Sequence, residues 1–339
     1  MNIFDIDYFY NNVLKSNDLN DLTVSKEEAY KEFTISKNSK KRVIKTIEKN
    51  SKLYNLQMNL YKNFLNSIEL PDCVFGFVKG RSYRDYLLPH KKNCSEEERF
   101  YLRLDIKDFF DNITETLIQE SLIEYINLND LTKKEKILSD IVKITTYNGT
   151  LPQGAITSPV LSNIVFRKAD LRIRKYCQKM GYVYSRYADD LLFSSSSEKL
   201  MKRNIIILLR SILSDLGFEL NNKKILKYRN YISINGFVIS DHVSISRSKL
   251  ADLNKFLFLF EKKNKDSAIN CVLTRVNSMG SYRNRYYFTS KASMLDYLAG
   301  YRSFLISWLT HEEDSWNNKC VQLIKRIEKA IEKINKIKL

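Results

Sequence analysis

Proline and glycine are scarce, 4 and 9 of 339 residues, which argues against a loop-rich or disordered chain. The five cysteines, Cys73, Cys94, Cys177, Cys271 and Cys320, are odd in number and form no Cys-x-x-Cys pair. Neither a disulfide framework nor a zinc site is expected from that pattern. Histidine is rare, at three residues. No uncharged apolar run reaches the roughly 18 residues that a membrane span needs. The opening Met1-Asn2-Ile3-Phe4-Asp5 has no basic flank and no apolar core of the signal-peptide kind. The expectation is a cytoplasmic protein with no membrane partner.

What the chain does have is positive charge. Fifty-six Lys and Arg face 39 Asp and Glu, a net +17. Such an excess attracts polyanions and speeds their encounter. A lysine-favouring genome explains part of the lysine count, but not why the acids fail to keep pace. Twenty-one Tyr and 18 Phe supply rings on which bases can stack. A hydrophobic fraction of 44% over this length supports one large domain or two to three subdomains with a sizeable core.

The apolar spacing predicts elements along the chain. Residues 36–50 carry a basic cluster running into an apolar stretch, read as a hairpin or loop. Leu53, Leu56, Leu60, Phe64 and Leu65 form a helical stripe. Residues 99–106 read as a strand, 115–146 as helical, and 158–180 as a helix with Pro159 near its first turn. Residues 182–194 read as strand, turn, strand. Residues 199–216 read as an amphipathic helix stopping at Gly217. Residues 231–247 read as a second hairpin punctuated by Asn235-Gly236. Beyond Ser248 the chain reads as mostly helical, with an amphipathic lysine-rich tail.

The sharpest local signal is Tyr187-Ala188-Asp189-Asp190, which puts two adjacent carboxylates at a hairpin tip. Like charges about 4 Å apart repel by roughly 4 kcal/mol at an effective dielectric of 20, and a divalent cation reverses that sign. An Asp-rich turn is the plainer reading. A third carboxylate, Asp105 at the end of the 99–106 strand, tips the balance. Two metal ions about 3.5–4 Å apart need carboxylates from separate elements. Mg²⁺ takes oxygen ligands and leaves positions for substrate phosphates. Between these lies Leu151-Pro152-Gln153-Gly154-Ala155, small enough at Gly154 for a base pair to approach the backbone closely.

These three elements, in this order, resemble motifs A, B and C of reverse transcriptases. Gly217 to Lys224 resembles motif D, Ile234 to Ser240 the primer-grip hairpin of motif E, and Phe75 to Ser82 the segment before motif A. Lys40 to Lys45 resembles the fingers motif that grips the triphosphate. Within the family the chain is most similar to bacterial retron enzymes. The match spans roughly residues 40–335, including Leu298 to Leu305 near the C-terminus. Two retron signatures are altered. The stretch before motif A keeps only His90 of Asn-Ala-x-x-His, and motif E reads Ile234-Asn235-Gly236 in place of Val-Thr-Gly.

The resemblance implies an α+β right-hand polymerase fold. N-terminal helices and fingers would occupy 1–100, a palm with an antiparallel sheet 101–245, and a helical thumb 246–339. It implies two Mg²⁺ ions held by Asp105, Ile106, Asp189 and Asp190, with Lys224 protonating the departing pyrophosphate. It implies substrate contacts from Arg42 or Lys45, Arg81, Gln153, Gly154 and Tyr187. Phe110, five residues after Asp105, would be the aromatic gate that favours dNTPs. RNA contacts would come from Lys249, Arg283 and Arg285. The implied partners are a structured noncoding RNA, its DNA product, dNTPs and an effector protein of a defence system. Other readings stay open: a protein-primed or untemplated defence enzyme, or an RNA-binding scaffold for an effector.

Overall fold

In the computed structural model, the residues described are 2–16, 26, 29–37, 40–49, 51–93, 95–261, 268–278, 287–309 and 315–337. The chain divides into two compact units. The first holds residues 1–90 and 97–229, and the second holds 91–96 and 230–339.

The first unit opens with a turn of α-helix over Ile6–Tyr8 that continues as π-helix over Phe9–Leu14. An antiparallel hairpin follows, β1 (Tyr30–Lys37) and β2 (Lys40–Ile47), so the basic cluster lies in a strand rather than in a loop. Helix α1 (Lys52–Asn63) starts on a Ser51 cap and buries the expected Leu53, Leu56 and Leu60. A short helix α2 (Tyr83–Leu87) starts on a Ser82–Asp85 capping box.

The main sheet is built on β3 (Phe100–Asp105). Phe100, Tyr101, Leu102 and Leu104 are all buried, because β3 runs between two other strands and both its faces are covered. The 115–146 segment is two helices, α3 (Glu115–Leu122) and α4 (Leu131–Thr145). Both are helical as expected, and Asp130 starts the second by accepting from the Thr132 and Lys133 N–H groups. Helix α5 (Ser158–Met180) matches its expected bounds and stops at Gly181, whose φ of 67° is the left-handed cap.

Strands β4 (Val183–Tyr187) and β5 (Asp190–Ser195) form the expected hairpin. Helix α6 (Arg203–Ser214) and strand β6 (Leu226–Arg229) complete this unit. The sheet order is β4-β5-β3-β6, antiparallel throughout. One continuous core joins α5 residues such as Leu161, Phe166 and Ile173 to Leu104, Leu191 and Phe193 of the sheet.

In the second unit, the expected hairpin is a three-stranded sheet, β7 (Ile232–Ile234), β8 (Phe237–Ile239) and β9 (Val243–Ile245). The β7–β8 turn has positive φ at both Asn235 (50°) and Gly236 (86°), the geometry that an Asn-Gly pair favours. The helices are α7 (Arg247–Glu261), α8 (Ile269–Ser278), α9 (Lys291–Ser307) and α10 (Ser315–Lys336). In α10 the buried stripe is Leu323, Ile327 and Ile334, as the spacing predicts, whereas Ile331 is half-buried. No described helix is long and apolar enough to cross a membrane.

Candidate active site

Sheet pairing brings the three carboxylates together. In the β3–β5 register Asp105 lies directly opposite Asp190. The Ile106 N–H donates to the Asp189 carbonyl at 3.0 Å, which fastens the hairpin tip to the end of β3. The tip turns through Ala188, with φ of 55°. Gly76 makes that turn possible, since a Cβ there would lie 2.5 Å from the Ala188 nitrogen.

This cluster is electrostatically uncomfortable. Burial and the neighbouring Asp190 and Asp105 push the Asp189 carboxyl above the usual carboxylate range. Burial also raises Asp190, and Arg103 partly offsets that rise. Two cations already answer the excess. Lys224 Nζ sits 2.7 Å from both oxygens of Asp105. Arg103 holds Asp190 in a fork, with Nη2 at 2.7 and 2.8 Å from its two oxygens and Nε at 3.0 Å from Oδ1. Carboxylate oxygens are what a hard divalent ion such as Mg²⁺ takes, although among the described residues no three such side chains are already gathered as a ligand group. Ile106 has a buried side chain and could add only its backbone carbonyl.

The remaining candidates lie at varied distances from this chemistry. The Gln153 carbonyl accepts from the Lys45 N–H at 2.7 Å, and a Cβ on Gly154 would lie 2.8 Å from the Lys45 carbonyl. The motif B loop is thus laid against strand β2. Lys45 Nζ stands 4.5 Å from the Tyr147 ring centroid and 3.5 Å from Glu32. Arg42 pairs with Ile35 in the β1–β2 ladder, and its side chain lies outside the described residues. Phe110 is half-buried, with its ring 6.2 Å from that of Phe77. Tyr187 packs its ring 4.9 Å from Tyr83 and 6.4 Å from Phe77. The guanidinium of Arg81 donates to the carbonyls of Pro71, Asp72 and Val74, so here it holds its own loop.

In the second unit, Lys249 Nζ rests 3.9 Å from the Phe237 ring centroid and 4.7 Å from that of Phe304. Its stem fills the space where a Cβ on Gly236 would stand, 2.7 Å from its Cδ. Arg283 and Arg285 lie outside the described residues.

Sequence reasoning missed the groups that hold the site. Arg186 is fully buried and donates to Asp170 at 2.7–3.1 Å, to Asn163 Oδ1 at 3.0 Å and to the Ala188 carbonyl at 3.1 Å. Asn163 in turn donates to the Gly76 carbonyl at 2.8 Å. His90, also fully buried, bridges Ser185 of β4 at 2.6 Å and Ser194 of β5 at 2.8 Å. Burial and Arg99 push its pKa down to about 3, so the ring stays neutral. Arg103 had a legible signal: it precedes Asp105 by two and shares its face of the strand.

Comparison with known proteins gives three results. Residues 26–239 match the family described as reverse transcriptase (RNA-dependent DNA polymerase). The retron Ec86 reverse transcriptase of Escherichia coli is 27% identical over 316 residues, covering 91% of this chain and 85% of that one. The retron Ec73 reverse transcriptase of the same species is 29% identical over 58% of this chain and 63% of its own length. Among solved structures, apo telomerase from Candida tropicalis matches 91% of this chain and 58% of that chain, with a TM-score of 0.52 and 14% identity. That likeness shows the fold alone: helices with antiparallel sheets in the right-hand polymerase class.

Proposed function

The chain belongs to the reverse transcriptase family of RNA-dependent DNA polymerases, and from that premise we propose that it is a retron enzyme copying a structured noncoding RNA into single-stranded DNA. One observation carries the reading: the β3–β5 register sets Asp105 opposite Asp190, and the bond from the Ile106 N–H to the Asp189 carbonyl ties the hairpin tip to the end of β3. We assign fingers to residues 1–100, palm to 101–245 and thumb to 246–339.

Two Mg²⁺ ions held by these carboxylates, with the Ile106 carbonyl beside them, would supply an activated primer hydroxyl and a charge clamp on the leaving pyrophosphate. The protein's own groups do the rest. Lys224, already within 2.7 Å of Asp105, is the proton donor for the leaving group. Phe110 and Tyr187 line the nucleotide floor with Phe77, and the half-buried Phe110 ring excludes a 2′-hydroxyl. Gln153 and Gly154, braced on β2, face the templating pair. Lys45 or Arg42 contacts the triphosphate, and Arg81 orders the loop that carries Phe77. Lys249, Arg283 and Arg285 contribute to RNA binding in the thumb. The setting is the bacterial cytoplasm, the product stays attached to its RNA, and an effector protein acts with the complex in anti-phage defence. The relatives named as retron enzymes support this assignment.

The test is to purify the protein from its native locus and treat the co-purifying nucleic acid with RNase and DNase separately. Short single-stranded DNA joined to RNA, absent from the Asp189→Asn protein, is the expected result. RNA alone in both preparations would put the scaffold reading ahead. DNA with no RNA attached would point to a protein-primed or untemplated enzyme.

A further inference from the structure

Within the second unit, strand β9 and helices α7 and α10 line a cavity of about 640 Å³. That volume falls in the range of roughly 300–1,000 Å³ typical of small-molecule sites. Its floor is apolar, made by the buried side chains of Ile245, Leu250 and Leu323. Three cations, Arg247, Lys319 and Arg326, also line it, and among the described residues no carboxylate does. Arg326 is braced: Nε donates to Glu261 at 2.6 Å and Nη1 to Asn254 at 3.0 Å, while Nη2 makes no hydrogen bond among the described residues. Arg247 and Lys319 are exposed, and neither has a side-chain hydrogen bond or ion pair among the described residues. Like charges gathered around one cavity repel, and an anion placed among them reverses the sign. Guanidinium forks match phosphate oxygens, and a lysine adds a point charge. A bare anion would use the cations and leave the floor uncovered, whereas a ligand with a flat ring would use both.

We propose that this cavity binds a single nucleoside phosphate, with the phosphate on Arg247, Lys319 and the open edge of Arg326, and the base over Ile245, Leu250 and Leu323. The ligand is a free nucleotide or one unpaired nucleotide of an RNA strand, since both present the same ring and the same phosphate. This site needs neither the three aspartates nor a metal ion, so it stands or falls apart from the polymerase reading. All of its lining comes from the second unit.

The test is equilibrium binding in EDTA, where a nucleotide has no metal to carry it onto the aspartates. The full-length protein, stripped of nucleic acid, is titrated with ADP and, separately, with single-stranded oligoadenylate RNA. Three proteins are compared: the natural sequence, Lys319→Glu and Gln322→Trp. Lys319 and Gln322 both line the cavity and are exposed on α10, so neither change disturbs the core, and an unchanged melting temperature checks this. Lys319→Glu reverses one cation. Gln322→Trp puts a ring into the cavity with no change of charge. ADP should bind the natural protein at one site, and each variant should weaken it by about tenfold or more, the loss that follows removal of a hydrogen bond to a charged group. If Gln322→Trp weakens the RNA as well, the ligand is a nucleotide of a strand; if it weakens ADP alone, the ligand is a free nucleotide. No saturable ADP binding to the natural protein would overturn the proposal. So would ADP binding that Gln322→Trp leaves unchanged, since the cations would then act only as a diffuse surface field.

Discussion

Replacing Arg186 by methionine removes the group that ties α5, the hairpin tip and the Gly76 loop together. The side chain is fully buried and spends its hydrogen bonds on Asp170, Asn163 and the Ala188 carbonyl. After the change Asp170 stays buried, with the Tyr184 hydroxyl at 2.8 Å the one side chain among the described residues still donating to it. Breaking a buried pair from one side costs about 3–5 kcal/mol. A Coulomb estimate of roughly 4 kcal/mol, for charges about 4 Å apart at an effective dielectric of 20, agrees. Against a total stability of about 5–15 kcal/mol, that is a large share. Removing both charges in Arg186→Met/Asp170→Leu replaces the pair with packed apolar groups and should recover most of the loss. The double variant still lacks the bond to Ala188, so DNA synthesis should stay low while stability returns. Urea unfolding and primer extension on the same preparations separate the two effects. A single variant costing less than about 1 kcal/mol, or a double variant no more stable than the single, would refute the reasoning.

Four further outcomes are expected. Asp189 has a folded pKa above its unfolded value, so in EDTA its contribution to stability is present at low pH and lost as pH rises through the raised value. Asp189→Asn should therefore melt higher than the natural protein at neutral pH, with the gap closing on acidification; a pH-independent gap would contradict this. His90 is the opposite case. Its folded value of about 3 lies below the unfolded 6.5, so its contribution is complete above 6.5 and falls as pH drops towards 3. A His90→Gln protein should lose less stability than the natural one across that window. Phe110→Ala should raise ribonucleotide incorporation relative to dNTP, read on a sequencing gel; no change would make Phe110 a packing residue only. RNA affinity should fall steeply with salt through counterion release, and a flat response would remove the charge argument.

The strand end and hairpin tip that carry the carboxylates were legible because these elements announce themselves locally. A buried apolar strand ends at Asp105, an alternating hairpin turns at Asp189, and Pro159 opens a long amphipathic helix. Each signal is contained in a few consecutive residues. The misread parts depend on distant partners or on one short competing bond. The 115–146 stretch is helical as read, but it restarts at Leu131, where the Asp130 side chain caps a new helix. The N-terminal hairpin begins at Tyr30 because strand β1 pairs with β2 from Tyr30↔Ile47 onwards, and the apolar pattern of 30–37 is weak. The third strand of the second sheet, Val243–Ile245, is too short to carry a period of its own. Arg186 and His90 carry no local signature of burial. Their side-chain partners stand 16 or more residues away from them in sequence, and a lone basic side chain reads as solvated until the fold supplies those partners.

The central claim is that Asp105 and the Asp189-Asp190 tip form one polymerase site acting on an RNA template. Its most direct test is extension of an annealed DNA primer on a defined RNA template with dNTPs and Mg²⁺. The natural protein, Asp105→Asn and Asp189→Asn would be compared at matched template occupancy. Extension by the natural protein alone, with template affinity unchanged within a few-fold in both variants, is the predicted result. Continued extension by either variant would contradict the account.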